Sequence, residues 1–307
     1  MAAIPFTENV IPQLLDWRRA GISSALITLV GVDGSSPRRI GSQMAVNANG
    51  DHLGYISSGC AEAAIVAEAL AAIEAGACRT IRYGAGSKYI DVVLPCGSGI
   101  DVHFDPVITA TALEAVQDAI AARQSARLDI ALSTDNMTGR QSYARHYIPA
   151  PRIIIAGRGV GVDYVAAMAC QLEWDVVVAS PDEAMLARVA SMTTTTQHLT
   201  KPDDFDPVII DARSAVVLLF HDHDWEPPIL AKCAQRPAFY VGALGSRRTH
   251  AQRKELLEAL GCPVEFIASI RSPVGLAIGA MNPPEIGVAV IAEIMSRTPQ
   301  RPNEICG

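Results

Sequence analysis

Arg152-Ile-Ile-Ile-Ala-Gly157-Arg-Gly159-Val-Gly161-Val162-Asp163 is the stretch from which the fold of this chain is read. Its aliphatic run suits a strand buried on both faces, as in a parallel sheet. The glycines that follow let the backbone turn sharply and approach a bound group without Cβ clashes. From Asp163 to Leu172, apolar Val165, Met168, Ala169 and Leu172 recur at helical spacing. Strand, glycine turn and helix together form a phosphate seat, because free N–H groups and the positive end of the helix dipole point at the turn. The dinucleotide pattern G-x-G-x-x-G is met at Gly157 and Gly159, but Val162 fills the third place and Gly161 comes one residue early. A tight turn that binds nothing would share this sequence.

Outward from that stretch the pattern is βαβ. A strand at Asp175–Ala179 is followed by a helix near Pro181, then by strands at Val216–Phe220 and Ala238–Leu244. Thr249–Leu260 predicts a charged amphipathic helix. Pro283–Met295 predicts another, with Asn282 as N-cap and Glu285 at the third position. Upstream, Pro149-Ala-Pro151 is the best linker, since the prolines bar helix and weaken strand. The expected organisation is a smaller α+β domain over residues 1–148 and a Rossmann-like parallel-sheet domain over 149–307. In the first, helices are expected at Asn9–Ala20, Ala61–Ala75 and Thr109–Ala122. Strands are expected at Ser24–Val32, Cys78–Tyr83, Lys88–Leu94 and Ile100–Phe104. Hairpins are expected around Asn47–Gly50 and Asp135–Gly139.

Half of the residues are hydrophobic and 19% are charged, enough to fill a large core over 307 residues. A net charge of −7 argues against a nucleic-acid surface, which needs clustered Lys and Arg. No run approaches the length of a membrane span, and Met1–Glu8 lacks the basic and apolar regions of a signal peptide. The seven cysteines form no C-x-x-C pair, which suits reduced thiols and a cytoplasmic protein.

Ligands of open α/β sheets sit at the carboxyl ends of the strands. There the first strand offers Gly157, Arg158, Gly159 and Gly161. The second ends in Ser180, where a NAD enzyme normally carries an acidic residue for the ribose; Asp182 comes two residues later. The third is followed by His221-Asp222-His223-Asp224, either a metal or proton-transfer element or a polar loop. The fourth is followed by Gly245-Ser246-Arg247-Arg248, which suits an anion, because arginine at a helix N-terminus otherwise opposes the dipole. In the first domain, Cys60 opens a helix and Cys96 lies in Pro95-Cys96-Gly97-Ser98-Gly99. Either is a reactive or metal-contacting thiol, or an inert one. Ser35, Ser36 and Arg38, in Gly34–Gly41, offer a second anion site or a loop ordered by Pro37.

Taken in order, several pieces resemble the xanthine dehydrogenase accessory family, XdhC/CoxI. They include Gly34-Ser-Ser-Pro-Arg38 with Gly41, Ser57-Ser-Gly-Cys-Ala-Glu62, Leu94-Pro-Cys-Gly97 and Ile155-Ala-Gly-Arg-Gly159. His221-Asp222, Val241-Gly-Ala-Leu-Gly-Ser-Arg-Arg-Thr249, Pro273-Val-Gly-Leu276 and Pro284–Ile294 complete the set. The resemblance implies a protein that binds molybdenum cofactor, as molybdopterin or its cytidine dinucleotide form. It implies delivery to a molybdenum hydroxylase subunit of the xanthine dehydrogenase type, with sulfuration by a cysteine desulfurase and a homodimeric state. A carrier is then expected rather than an enzyme, with Cys60 and Cys96 near the metal end. The alternatives are an NADP-type oxidoreductase, in which Arg158 and Ser180 tolerate a 2′-phosphate, and a nucleotide-sensing interaction module.

Overall fold

A computed structural model describes residues 7–36, 38–57, 59, 61–87, 97–132, 141–192, 195–220 and 224–299. The chain divides into two units, the first running to Pro149 and the second beginning at Ala150. The expected strand at 88–94, the turn at 135–139, and Cys60, Cys96, His221 and Asp222 lie outside the described residues.

The first unit opens with α1 (Ile11–Arg19), whose first turn carries Pro12 where no N–H is needed. Strands β1 (Ser24–Asp33), β2 (Gln43–Asn47) and β3 (His52–Gly54) follow. The β2–β3 turn is set by Asn47, whose Oδ1 accepts from Asn49 N at 2.9 Å and Asp51 N at 3.0 Å. Helix α2 (Glu62–Ala75) ends on Gly76 at φ +58°, the left-handed stop that glycine supplies without penalty. Next come β4 (Arg79–Gly84), β5 (Gly99–Asp105), α3 (Ala110–Ala121) and the hairpin β6 (Ala126–Ala131)–β7 (Ser142–Tyr147).

The main sheet of this unit has the order β3-β2-β1-β5-β4, and every pairing is antiparallel. Both its faces are covered. Ala25, Ile27 and Leu29 of β1, with Ile100, Val102 and Phe104 of β5, pack with α2. Leu26 and Val30 pack with α1, α3 and the β6–β7 hairpin. The second face therefore also holds polar residues that alternation places there. Tyr147 Oη donates to Gln43 Oε1 at 2.7 Å, and Gln43 Nε2 donates to Thr28 Oγ1 at 3.2 Å.

The second unit is a doubly wound parallel sheet. Its strands are β8 (Arg152–Gly157), β9 (Asp175–Ser180), β10 (Thr195–His198), β11 (Ser214–Leu219) and β12 (Tyr240–Ala243), in the order β10-β9-β8-β11-β12. Helices α4 (Val160–Gln171), α5 (Glu183–Val189) and α9 (Pro283–Arg297) cover one face. Helices α6 (Glu226–Cys233), α7 (Arg247–Ala259) and α8 (Val264–Ser269) cover the other. The aliphatic run splits cleanly: Ile153 and Ile155 face α4, while Ile154 and Ala156 face the opposite layer.

Several expected boundaries move. Helix α4 starts at Val160, three residues ahead of the apolar pattern, because Val160 is 52% exposed and the periodicity begins only with buried Val162. Helix α7 starts at Arg247 for the same reason: its first turn is polar. Strand β10 and helices α6 and α8 were not expected. Strand β10 is a short, mostly exposed polar edge, and the proline pair of α6 sits in its first turn, where proline is tolerated. Asn282 accepts from Glu285 N at 3.0 Å, as the capping pattern of α9 predicts.

Candidate functional site

The strand order reverses between β8 and β11, which is where α/β sheets open a crevice. Gly157 closes β8, and a Cβ there would stand 2.7 Å from the Leu219 carbonyl oxygen, so only glycine allows the close approach of β8 and β11. Arg158 N then donates to Leu219 O at 3.2 Å. Gly159, at φ +85° and ψ 177°, adopts a conformation essentially reserved for glycine and stands as the N-cap of α4. Among the described residues no side chain caps that helix. Among the described residues, too, an added Cβ at Gly159 or at Gly161 would meet nothing within 4 Å. The glycines thus have different tasks: Gly157 serves packing, whereas Gly159 and Gly161 leave a helix N-terminus open.

An aromatic wall stands beside this turn. Phe220 and Trp225 stack with ring centroids 5.5 Å apart and an interplanar angle of 13°. The Arg158 guanidinium lies 5.3 Å from the Trp225 centroid, a cation–π arrangement that holds an exposed arginine in place. Phe220 and Trp225 flank the segment that carries His221 and Asp222. Trp225 was not singled out in the sequence; its short spacing from the histidines after β11 was the available signal.

After β12, Gly245 turns at φ +130° and Ser246 caps α7, its Oγ accepting from Thr249 N at 3.2 Å. Ser246, Arg247 and Arg248 are exposed. Behind them lies a residue the sequence reading missed. Arg253 is 3% exposed and donates to Glu226 Oε2 at 2.7 and 3.1 Å, to Leu244 O at 2.6 Å and to Ser272 Oγ at 3.1 Å. It ties the β12–α7 turn to the start of α6. Spacing could have revealed it, since Arg253 lies one helical turn before fully buried Leu257. The His250 imidazole is held below its ordinary pKa by partial burial and by the charges of Lys254 and Arg253.

At the end of β9, Ser180 is fully buried and its Oγ accepts from Asp182 N at 3.1 Å. Asp182 Oδ1 in turn caps α5 through Met185 N at 2.9 Å. Both side chains serve the turn.

In the first unit, the loop leading to Cys60 is organised by Glu62, only 7% exposed. Its Oε1 accepts from Ile56 N at 3.1 Å and Ser57 N at 2.7 Å; its Oε2 accepts from Ser57 Oγ and Gly59 N, each at 2.6 Å. Burial opposes ionisation of Glu62, but these hydrogen bonds outweigh it and hold the carboxyl below the usual range. The loop with Ser35, Ser36 and Arg38 lies beside the exit of the Cys96 loop. Asp33 pairs with Gly99, and a Cβ on Gly34 would come within 3.3 Å of the Ser98 Cβ. Arg38 itself pairs with Glu8 at 3.1 Å, and its N–H donates to Ser36 Oγ at 3.3 Å. Arg82 braces the same corner through Asp33 at 2.8 Å and Asp101 at 3.1 Å.

Comparison with known proteins places these features. Residues 153–294 match the XdhC Rossmann domain, and residues 17–84 match the XdhC and CoxI family. The molybdenum cofactor insertion chaperone PaoD of Escherichia coli is 33% identical, over 90% of this chain and 84% of that protein. A protein of Bacillus subtilis described as a probable xanthine dehydrogenase subunit is 24% identical, over 89% of this chain and 92% of its own length. The fold matches a crystal structure described as a xanthine dehydrogenase from Bacillus halodurans, with a TM-score of 0.79 at 22% identity, covering 94% of this chain and 95% of that one. Among the described residues no helix is long and apolar enough to cross a membrane.

Proposed function

The chain belongs to the XdhC and CoxI family, and from that premise we propose that it binds molybdenum cofactor and delivers it to a molybdenum hydroxylase of the xanthine dehydrogenase type. One observation carries the reading: the N-terminus of α4 behind Gly159, which no described side chain caps, with space free of described residues at Gly159 and Gly161 beside Arg158. Such an end binds phosphate through backbone N–H groups and the helix dipole. Arg158 is the nearby cation, held over Trp225. Arg247 and Arg248, exposed on the next loop but one along the sheet edge, supply further positive charge for a pyrophosphate. The cargo is then molybdopterin or its cytidine dinucleotide form, with the base beside Trp225, which buried Phe220 backs; His221 and Asp222 are proposed as further contacts. Cys60 and Cys96 are the thiols proposed for the metal end. In this reading a cysteine desulfurase installs the terminal sulfur while the cofactor is held, and the protein works as a cytoplasmic homodimer without turning over a substrate of its own.

The test is to purify the protein from cells that make the cofactor and to measure molybdenum and pterin on it. Both are expected to copurify with the wild type, and much less with Arg158→Ala. If neither is retained, and deletion of the gene leaves hydroxylase activity intact, the reading is wrong. A thermal-shift panel separates the nucleotide forms, because a ligand of the native state raises the melting temperature. A shift with CTP is expected for the dinucleotide form. A shift with NADP joined to hydride transfer from NADPH would favour an oxidoreductase instead.

Gly161 gives a sharper probe. It lies in the first turn of α4 with room for a methyl group, so Gly161→Ala should change stability by no more than about 1 kcal/mol, and in the stabilising direction. A cofactor phosphate seated on that turn would meet the new Cβ, and cofactor retention should fall roughly tenfold, equivalent to about 1.4 kcal/mol. Unchanged retention would move the phosphate elsewhere.

A further inference from the structure

The first unit holds a group of side chains that the cofactor reading does not use. Cys78, just ahead of β4, and His103 and Asp105 of β5 each bring one ligand atom within 4.8 Å of the other two. The spacing of His103 and Asp105 puts both on one face of β5, because side chains two apart on a strand point the same way. That is the face opposite Val102 and Phe104, which pack against α2. Thr80 pairs with His103 across the β4–β5 ladder and extends the same face.

Each side chain is already oriented. Cys78 Sγ donates to Asp105 Oδ1 at 3.4 Å. That separation matches the edge of a tetrahedral zinc site, about 3.5 Å for ordinary zinc–sulfur and zinc–oxygen bonds. Asp105 Oδ1 also accepts from Val107 N at 3.0 Å and Ile108 N at 2.7 Å, which fixes the carboxylate. The Thr80 hydroxyl lies 2.9 Å from His103 Nδ1, an outer contact of the kind that sets the ring of a metal-binding histidine. The other ring nitrogen, Nε2, has no hydrogen-bond partner among the described residues, on a residue that is fully buried. An unpartnered buried imidazole nitrogen costs free energy in a folded protein, and a metal ion would satisfy it.

We propose that Cys78, His103 and Asp105 form a binding site for a thiophilic divalent cation of the zinc class. Thiolate and carboxylate neutralise the divalent charge, and the imidazole binds neutral, so the loaded site carries no net charge. Arg18 lies nearby, under the influence of the Asp105 charge and donating to the Ile108 carbonyl, and a loaded site without net charge sets no excess positive charge beside it. The proton lost by Cys78 Sγ on binding passes to solvent. In the free protein, burial and the Asp105 charge push that thiol up to about 11, so the metal and not the fold must supply the driving force for its deprotonation. The site would pin the start of β4 to the β5–α3 turn, independently of any cofactor in the second unit.

Cobalt(II) reports such a site directly. Titrated into chelator-treated full-length protein, it is expected to produce a thiolate-to-cobalt charge-transfer band that zinc then abolishes. Cys78→Ser should remove the band, while Cys262→Ser should leave it. Peptide mapping of the wild type covers the case in which Cys78→Ser misfolds: zinc should slow alkylation of Cys78 several-fold and leave Cys262 unaffected. Absence of the band in the wild type, its survival in a folded Cys78→Ser protein, or equal alkylation of Cys78 with and without zinc would each overturn the proposal.

Discussion

Arg253→Ala is expected to destabilise the second unit by about 3–5 kcal/mol, the range for breaking a buried ion pair on one side. Arg253 and Glu226 are 3% and 1% exposed, and the alanine removes both charge-assisted bonds to the Glu226 carboxylate. It also strips a donor from the Leu244 carbonyl and another from Ser272. For a unit of this size the loss corresponds to a melting temperature lower by on the order of 10 °C. Thermal unfolding followed by circular dichroism or calorimetry measures it. Arg253→Lys should recover little, because an ammonium cannot reproduce the planar fork that reaches these acceptors. Replacing both partners, Arg253→Met with Glu226→Leu, should recover much of the loss, since the isolated buried carboxylate is the costly element. A fall below about 1 kcal/mol for Arg253→Ala would show that the pair is no keystone of the turn.

Glu62→Gln should produce the largest change in the first unit. The carboxylate accepts from three backbone N–H groups and the Ser57 hydroxyl, using both oxygens. An amide must turn its NH2 toward donors on one side, leaving them facing another donor. The expected cost is about 2–4 kcal/mol, with faster hydrogen exchange at Ser57 and Gly59. The pH dependence has a definite sign. Glu62 titrates below its unfolded value in the native protein, so its contribution is fully present above the ordinary carboxylate range. It declines as pH falls through the native value. The stability gap between wild type and Glu62→Gln should therefore be flat near neutrality and narrow under acid. A gap that widened on acidification would contradict the hydrogen-bond account. Because the loop runs directly to Cys60, the same variant should also lower the yield of active hydroxylase if that thiol handles the cofactor.

Local signals carried the second unit a long way. The apolar runs at β8, β9 and β11 mark strands buried on both faces, and the glycines after β8 mark the turn beside the topological switch. The order of motifs identified the family, which the match to PaoD and to the family patterns bears out. The candidate site was legible only in outline. Gly157 was grouped with Gly159 and Gly161 as a phosphate glycine, yet its contact with Leu219 is a packing requirement. Asp182, two residues past the place where a NAD enzyme carries its ribose acid, is a helix cap. Arg253 is one charge among several on a helix that the sequence marks only as charged and amphipathic. Its burial depends on α6, 27 residues earlier in the chain.

By itself the sequence determined what depends on neighbours within a turn or two: strand burial from apolar runs, helix stops and caps such as Gly76 and Asn282, and the glycine turn that opens α4. These follow from backbone preference and side-chain period, which are encoded residue by residue. Only the tertiary structure decided which distant polar groups meet. Strand order places β5 between β1 and β4, and so sets His103 and Asp105 beside Thr80 and Cys78. It also places β11 against β8, and so sets Arg158 over Trp225. Pairing across a sheet depends on how whole elements bury their apolar faces, and no local window of sequence contains that balance.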